Sequence, residues 1–214
     1  MEIRTIRNGQ DYLKIPIPHS YADVSTLIKS DYFRIVGEEK SLLHIFMKTV
    51  LRPFKSSVLF WLRMASYKGF FYPFSLFMYK RASLKYNIDI PPQTCIGFGF
   101  YIGHGMCIVV NGGSIIGNNV NLSQFVNIGT NHKTPAIIGD SVYIGASSLI
   151  IEDVRIGENA TIGAGSVVVK DIPSNATVAG VPASVKNYNF PGRFISRRYP
   201  LNFYNHENTY NSQL

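Results

Sequence analysis

The sequence predicts a mainly β chain: a parallel β-helix preceded by an α-helical N-terminal domain and followed by a short C-terminal tail. Three observations predict it. Apolar residues, mostly Ile and often followed by Gly, recur every six positions through the middle of the chain. Before them, residues 41–86 mix apolar and basic residues at helical spacing, as in Leu42, Ile45, Phe46 and Val50. After them the chain turns polar. The expected boundaries are 1–88, 89–184 and 185–214.

With 214 residues and 46% hydrophobic composition, the chain can bury a sizeable core. The net charge of +8 is uneven: residues 1–90 carry 14 Lys/Arg against 7 Asp/Glu, and residues 91–182 carry 3 against 5. A basic flank suits an anionic membrane surface or a phosphate-bearing ligand. The charges are scattered singly and form no nucleic-acid module, so no nucleic-acid partner is expected. The first 20 residues are polar, without the apolar run of a secretory signal, and the expected location is cytoplasmic. The greasiest stretch, "SVLFWLRMASYKGFFYPFSLFMY", is interrupted by Arg63, Lys68 and Pro73. It reads as a helical core segment or as a surface touching the inner membrane, not as a spanning helix.

The repeat runs Ile96, Ile102, Ile108; then Ile116, Leu122, Ile128; then Ile138, Ile144, Ile150, Ile156, Ile162 and Val168. Within each run the step is six, the period of a β-helix whose short strands each supply an inward aliphatic residue. Small and polar residues fill the corners. Three hexads make a coil of about 18 residues, so roughly four coils are expected. The register breaks between Ile108 and Ile116 and again between Ile128 and Ile138, where "GTNHKTPA" forms a loop. Solenoids carry such insertions on one face, often the binding face. Cys95 and Cys107 lie two hexads apart, on different faces, and read as small buried residues rather than a disulfide.

The residues also carry a family resemblance. "IGENATIGAGSVVVKDIPSNATVAGVPAS", residues 156–184, resembles the closing coils of the left-handed β-helix hexapeptide acyltransferases. "DIPPQTCIGFGFYIGHGMCIVVNGGSIIGNNVNLSQFVNIG", residues 89–129, is similar to serine acetyltransferases, and more closely to bacterial O-acetyltransferases of capsule and exopolysaccharide synthesis. The resemblance spans about residues 55–185. It implies left-handed coiling, a homotrimer, and acetyl-CoA in the groove between neighbouring prisms. It also implies direct attack of an acceptor hydroxyl on the thioester.

That attack needs a general base, for which histidine is suited. His104, in "YIGHGMCIV", matches the family's catalytic histidine, against its reading as a decorated corner of the repeat. Asp89, 15 residues upstream, matches the carboxylate of the family's His–Asp dyad. A coil of about 18 residues would bring it to the same face as His104. Asp89 also reads as a cap on the helix-to-strand junction. By family position the Gly129 N–H is an oxyanion donor. Ala146 and Ala164 match small residues that leave room for the pantetheine arm, and Lys170 matches a lysine that meets CoA phosphate. A second basic position expected after "GVP" is Ser184 here, with Lys186 nearby. His132 in the loop reads as an acceptor contact or a solvated loop residue.

The acceptor reading rests on two absences. The serine enzymes carry Asp before the catalytic His and Arg in the loop; this chain has Gly103 and "TNHKTPAI". The expectation is therefore a carbohydrate acceptor, a sugar hydroxyl of a surface polysaccharide, met by Asn111, Asn121, Gln124 and Asn127. The alternative is serine O-acetylation. A third reading is a non-catalytic scaffold. No metal is expected, because only His104 and His132 lie in the repeat and a zinc site on this scaffold needs three histidines.

Overall fold

The structure, a computed structural model, describes residues 1–49, 56–131, 134–151 and 153–201. Val50 and His132 lie outside the described residues.

The chain opens with a hairpin that the sequence reading lacks. Strands β1 (Glu2–Asn8) and β2 (Asp11–Ile17) pair antiparallel around Gly9, whose φ of 65° suits a tight turn. The signal was the alternation in β2, which buries Leu13 and Ile15. Helix α1 (Tyr21–Val36) starts where Ser20 accepts a hydrogen bond from Asp23 N, and stops at Gly37, left-handed at φ 84°. Helices α2 (Leu42–Thr49) and α3 (Ser56–Ala65) follow. Helix α4 (Tyr72–Tyr86) has Pro73 in its first turn and ends at left-handed Asn87.

A line of short strands then coils upward: β3 (Ile88–Asp89), β4 (Cys95–Ile96), β5 (Tyr101–Ile102), β6 (Ile108–Val110), β7 (Ile115–Ile116), β8 (Asn121–Leu122) and β9 (Asn127–Ile128). After the loop come β10 (Ile137–Ile138), β11 (Tyr143–Ile144), β12 (Leu149–Ile150), β13 (Arg155–Ile156), β14 (Thr161–Ile162), β15 (Val167–Val168), β16 (Thr177–Ala179) and β17 (Ser184–Asn187). They stack into three sheets, ordered β4-β7-β10-β13, β5-β8-β11-β14-β16-β17 and β3-β6-β9-β12-β15. All pairs are parallel except β16–β17. The expected parallel β-solenoid is therefore present. Each coil buries inward Ile, Leu or Val, and each buried side chain stabilises the prism by about 1.5–3 kcal/mol.

The ladder relocates the first register break. Val110, not Ile108, pairs with Ile128, so Val110 fills the inward slot of its coil. Tyr101 pairs with Asn121, 20 residues on, whereas Val109 pairs with Asn127, 18 on. The two extra residues therefore lie between β5 and β6, at the corner that carries His104. Ile108 and Val110 are both buried aliphatics, so sequence spacing alone could not choose between them. The second insertion falls at the loop after β9, as the spacing predicts.

A buried polar clamp joins the helices to the first coil. Arg63 reaches Asp31 at 2.8 and 3.0 Å and donates to Ile96 O and Gly97 O; Asp31 also accepts from Phe100 N at 2.8 Å. Arg34 donates to Gly99 O and Asn121 Oδ1. These groups satisfy backbone polar atoms at the solenoid's open end, the part a capping element must cover.

The prism's three faces are treated differently. The hairpin lies along the β4-β7-β10-β13 face: Asn118 Nδ2 donates to Lys14 O, and Asn8 Nδ2 to Ile156 O. The tail packs back along the β5-β8-β11-β14 face as far as Tyr199. Phe194 lies 4.7 Å from the Tyr143 ring, Gly192 N donates to Asn159 O, and Tyr199 stacks on Phe98. Among the described residues, nothing of this chain covers the β3-β6-β9-β12-β15 face.

Candidate active site

The bare face holds an open cleft of about 620 Å³. Asp89, Asn111, Asn127, Gly129 and Asn131 line it with the apolar Val109 and Leu149. Two predicted polar residues of different coils, Asp89 and Asn127, thus share one wall, because β3, β6 and β9 are neighbours in one sheet. Gly129 joins them at the cleft's edge.

His104 stands at the corner beside this face. It is exposed, with φ 60°, and Gly105 and Cys107 follow at φ 35° and 52°. The inserted corner thus holds three left-handed residues where regular corners above hold one, as at Ser147 and Gly165. In the coils above, the corner is regular: Ser147 N donates to Gln124 O, and Gly165 N to Ala146 O. At the inserted corner the corresponding donor, Phe125 N, meets Met106 O instead, at 3.2 Å. The ladder registers put His104, Gln124, Ala146, Ala164 and Gly180 in one column, each two residues beyond the paired inward aliphatic residue of its strand. The side chains shrink along this column from imidazole and amide to methyl and hydrogen. The result is a trough that starts at His104.

Asp89 reaches this region by a different route from the one its spacing suggested. Its ladder partner is Val109, five residues past His104, so the two are not on one face. The strand of Asp89 and the His104 corner adjoin where Cys107 N donates to Tyr86 O just before β3. Asp89 is held by its backbone neighbours. Tyr79 Oη donates to Ile90 O and accepts from Ile90 N at 3.1 Å, and Ser83 Oγ donates to Ile88 O. Burial, reinforced by the Asp89 carboxylate, pushes the Tyr79 phenol up to about 12. Sequence reasoning missed Tyr79. Its only signal was a tyrosine on the last helix before the coils.

Other expectations need correction. Gly129 N donates to Ile150 O at 3.0 Å, so this N–H is committed to the ladder and cannot serve an oxyanion. Asn121 is buried, accepting from Arg34 and donating to Phe194 O, and is unavailable to an acceptor. Cys95 and Cys107 are free and only half-buried. Lys170 is exposed just past β15, at the far end of the bare face. Lys186 Nζ donates to Ser184 Oγ. Among the described residues, no group of three or more His, Cys, Asp or Glu is placed to hold a metal ion, and no helix is long and apolar enough to cross a membrane.

Residues 135–170 match the family model described as bacterial transferase hexapeptide (six repeats). A crystal structure of Neisseria gonorrhoeae serine acetyltransferase is similar at 30% identity and TM-score 0.64, over 78% of this chain and 67% of that one. The chain belongs to the bacterial hexapeptide-repeat transferases. Within that family its similarities run to the serine enzymes. The same Neisseria protein in complex with serine matches at 29% identity and TM-score 0.62, over 78% of this chain and 70% of that one. The serine acetyltransferase of Buchnera aphidicola from Schizaphis graminum is 36% identical over 119 residues, 53% of this chain and 46% of that protein. The chain thus spans about half the length of the curated relatives it matches.

These similarities overturn the polysaccharide reading. It inferred the acceptor from two missing charges, Gly103 and the absent loop Arg. The physical weakness is that one strand of sequence does not define a pocket.

Proposed function

We propose that this hexapeptide-repeat transferase is an acetyl-CoA-dependent serine O-acetyltransferase with His104 as general base. The observation that carries the reading is the column beginning at His104: an exposed imidazole at the foot of a column that runs through Gln124 to Ala146, Ala164 and Gly180, beside the Asp89 cleft. The similarity to serine acetyltransferases, among them one solved with serine and one with CoA, supports the choice of substrates.

In this reading His104 takes the proton from the serine hydroxyl as its oxygen attacks the thioester carbonyl. The C–S bond then breaks, and His104 returns the proton to the departing thiolate. Asp89 favours the imidazolium that forms in between. Ala146 and Ala164 leave the trough free for the pantetheine arm, and Lys170 meets a CoA phosphate. Gln124 and Asn127 flank the acceptor. His132, outside the described residues, is assigned an acceptor contact from its place in the sequence alone. The bare face, with Val109, Leu149 and Ile151 partly exposed, supports packing against further copies as a homotrimer that completes the site. The cytoplasm, where acetyl-CoA is available, is the compartment this reading requires.

The test is thiol release from acetyl-CoA with serine, compared with threonine and a panel of glycans. Turnover confined to serine and lost in His104→Ala is expected. Acetyl-CoA binding with no serine turnover would sink the reading.

A further inference from the structure

We propose that the outer face of α4, with the adjoining end of α2, docks on an anionic phospholipid bilayer. This goes beyond the acetyl-transfer reading, which assigns this face no partner.

Residues 41–88 contain eight Lys or Arg and no Asp or Glu. Phe74, Phe77, Arg81 and Leu84 follow one another along α4 at steps of three and four, the spacing of a single helix face, and Phe70 and Phe71 stand just before its first turn. All are exposed: Phe70 is 89% and Leu84 78% accessible, and Phe71, Phe74 and Phe77 are each more than half accessible. Leu43 and Met47 of α2 are exposed as well. Behind this edge lies a wholly apolar cleft of about 410 Å³, lined by Leu42, Phe46, Trp61, Met64 and Phe74. An aromatic surface of this kind marks an interaction site.

The charges select the occupant. Lys68, Lys80, Arg81 and Lys85 are exposed around the aromatic face, and the Arg81 guanidinium lies 5.9 Å from the Phe77 ring centroid. Two copies meeting through this face would bring cation against cation, with no carboxylate in the segment to relieve them. An anionic bilayer meets both features at once: phosphate headgroups for the cations and acyl chains for the phenylalanines. At 15 residues, α4 is too short to cross a bilayer, so it would lie in the interface.

The experiment is co-sedimentation of the full chain with vesicles of phosphatidylcholine alone, and of phosphatidylcholine mixed with phosphatidylglycerol, at low and high salt. Binding is expected only to the anionic vesicles, weakening as salt rises. Each surface cation contributes about fivefold to partitioning, so a Lys80→Gln/Arg81→Gln/Lys85→Gln variant should bind about a hundredfold more weakly. A Phe70→Ser/Phe74→Ser/Phe77→Ser variant should also lose binding, and thiol release in solution should be unchanged in both. Absence of anionic-lipid binding by the wild type would overturn the proposal. So would sedimentation velocity showing that the phenylalanine variant loses a self-associated form while vesicle binding is nil.

Discussion

Residues 137–168 and residues 88–136 are built from the same hexads and differ in what interrupts them. In the upper stretch every ladder step is 18 residues, as in Ile137 to Arg155, Tyr143 to Thr161 and Leu149 to Val167. In the lower stretch steps of 20 and 22 appear, because two residues are added at the His104 corner and four in the loop after β9. The regular coils are interchangeable supports: each buries its aliphatic residues and hands its backbone hydrogen bonds to the next. The interrupted coils carry the candidate base, the carboxylate and the cleft. An insertion is where a solenoid can place a side chain off the repeat lattice: regular corners such as those of Ser147 and Gly165 hold one left-handed residue, and the His104 corner holds three.

This contrast can be broken most sharply by one pair of substitutions. His104→Ala should lower serine acetylation by about a hundred- to ten-thousandfold with the melting temperature kept, as thiol release and calorimetry would show. Ile144→Ala, in the regular half, should do the reverse. It should cost about 2–5 kcal/mol in denaturant unfolding and leave the turnover of folded molecules near wild type. If both substitutions changed activity alike, the two halves would not be distinct in role.

A second test concerns the clamp that seats the helices on the irregular end. Asp31→Ala leaves Arg63 buried without its partner and should cost about 3–5 kcal/mol, read from denaturant midpoints. Arg63→Met with Asp31→Leu together should recover much of that loss. A third test sharpens the column. Ala164→Leu fills the trough at an exposed position and should weaken CoA binding by about tenfold by calorimetry, with the fold intact.

The smallest effect is a pH dependence. The Tyr79 phenol is pushed up to about 12, above its ordinary 10.0, so the folded state holds that proton more tightly than the unfolded chain. Its contribution is complete below pH 10 and is lost as the pH rises towards 12. Tyr79→Phe should flatten this alkaline limb of stability, and should cost about 1 kcal/mol at neutral pH through the lost hydrogen bonds to Ile90.

Much of this was legible in the residues. The hexads from Ile116 to Val168 have the period the ladder confirms, and the loop at 129–136 falls where the spacing broke. The roles of Asp89, Ala146 and Ala164 rest on the family motif and are proposals. What escaped was whatever depended on a partner distant in sequence. The first break was misplaced because Ile108 and Val110 are equally apolar, and only pairing with Ile128 tells them apart. The Gly129 N–H was assigned a role without knowing that Ile150 O already accepts it. Asn121 read as a corner residue, but Arg34, far away in sequence, claims it.

The sequence by itself determined the coil: a period of six with aliphatic residues inward admits few other ways to bury them, because the pattern is local and repeats. Only the tertiary structure decided which face is left open. The hairpin covers one side of the prism and the returning tail another, through bonds such as Asn8 to Ile156 and Asn121 to Phe194 that join residues far apart in the chain. No local pattern encodes those contacts. They depend on where the coils have stacked and, among the described residues, they leave Asp89, the cleft and the His104 corner uncovered.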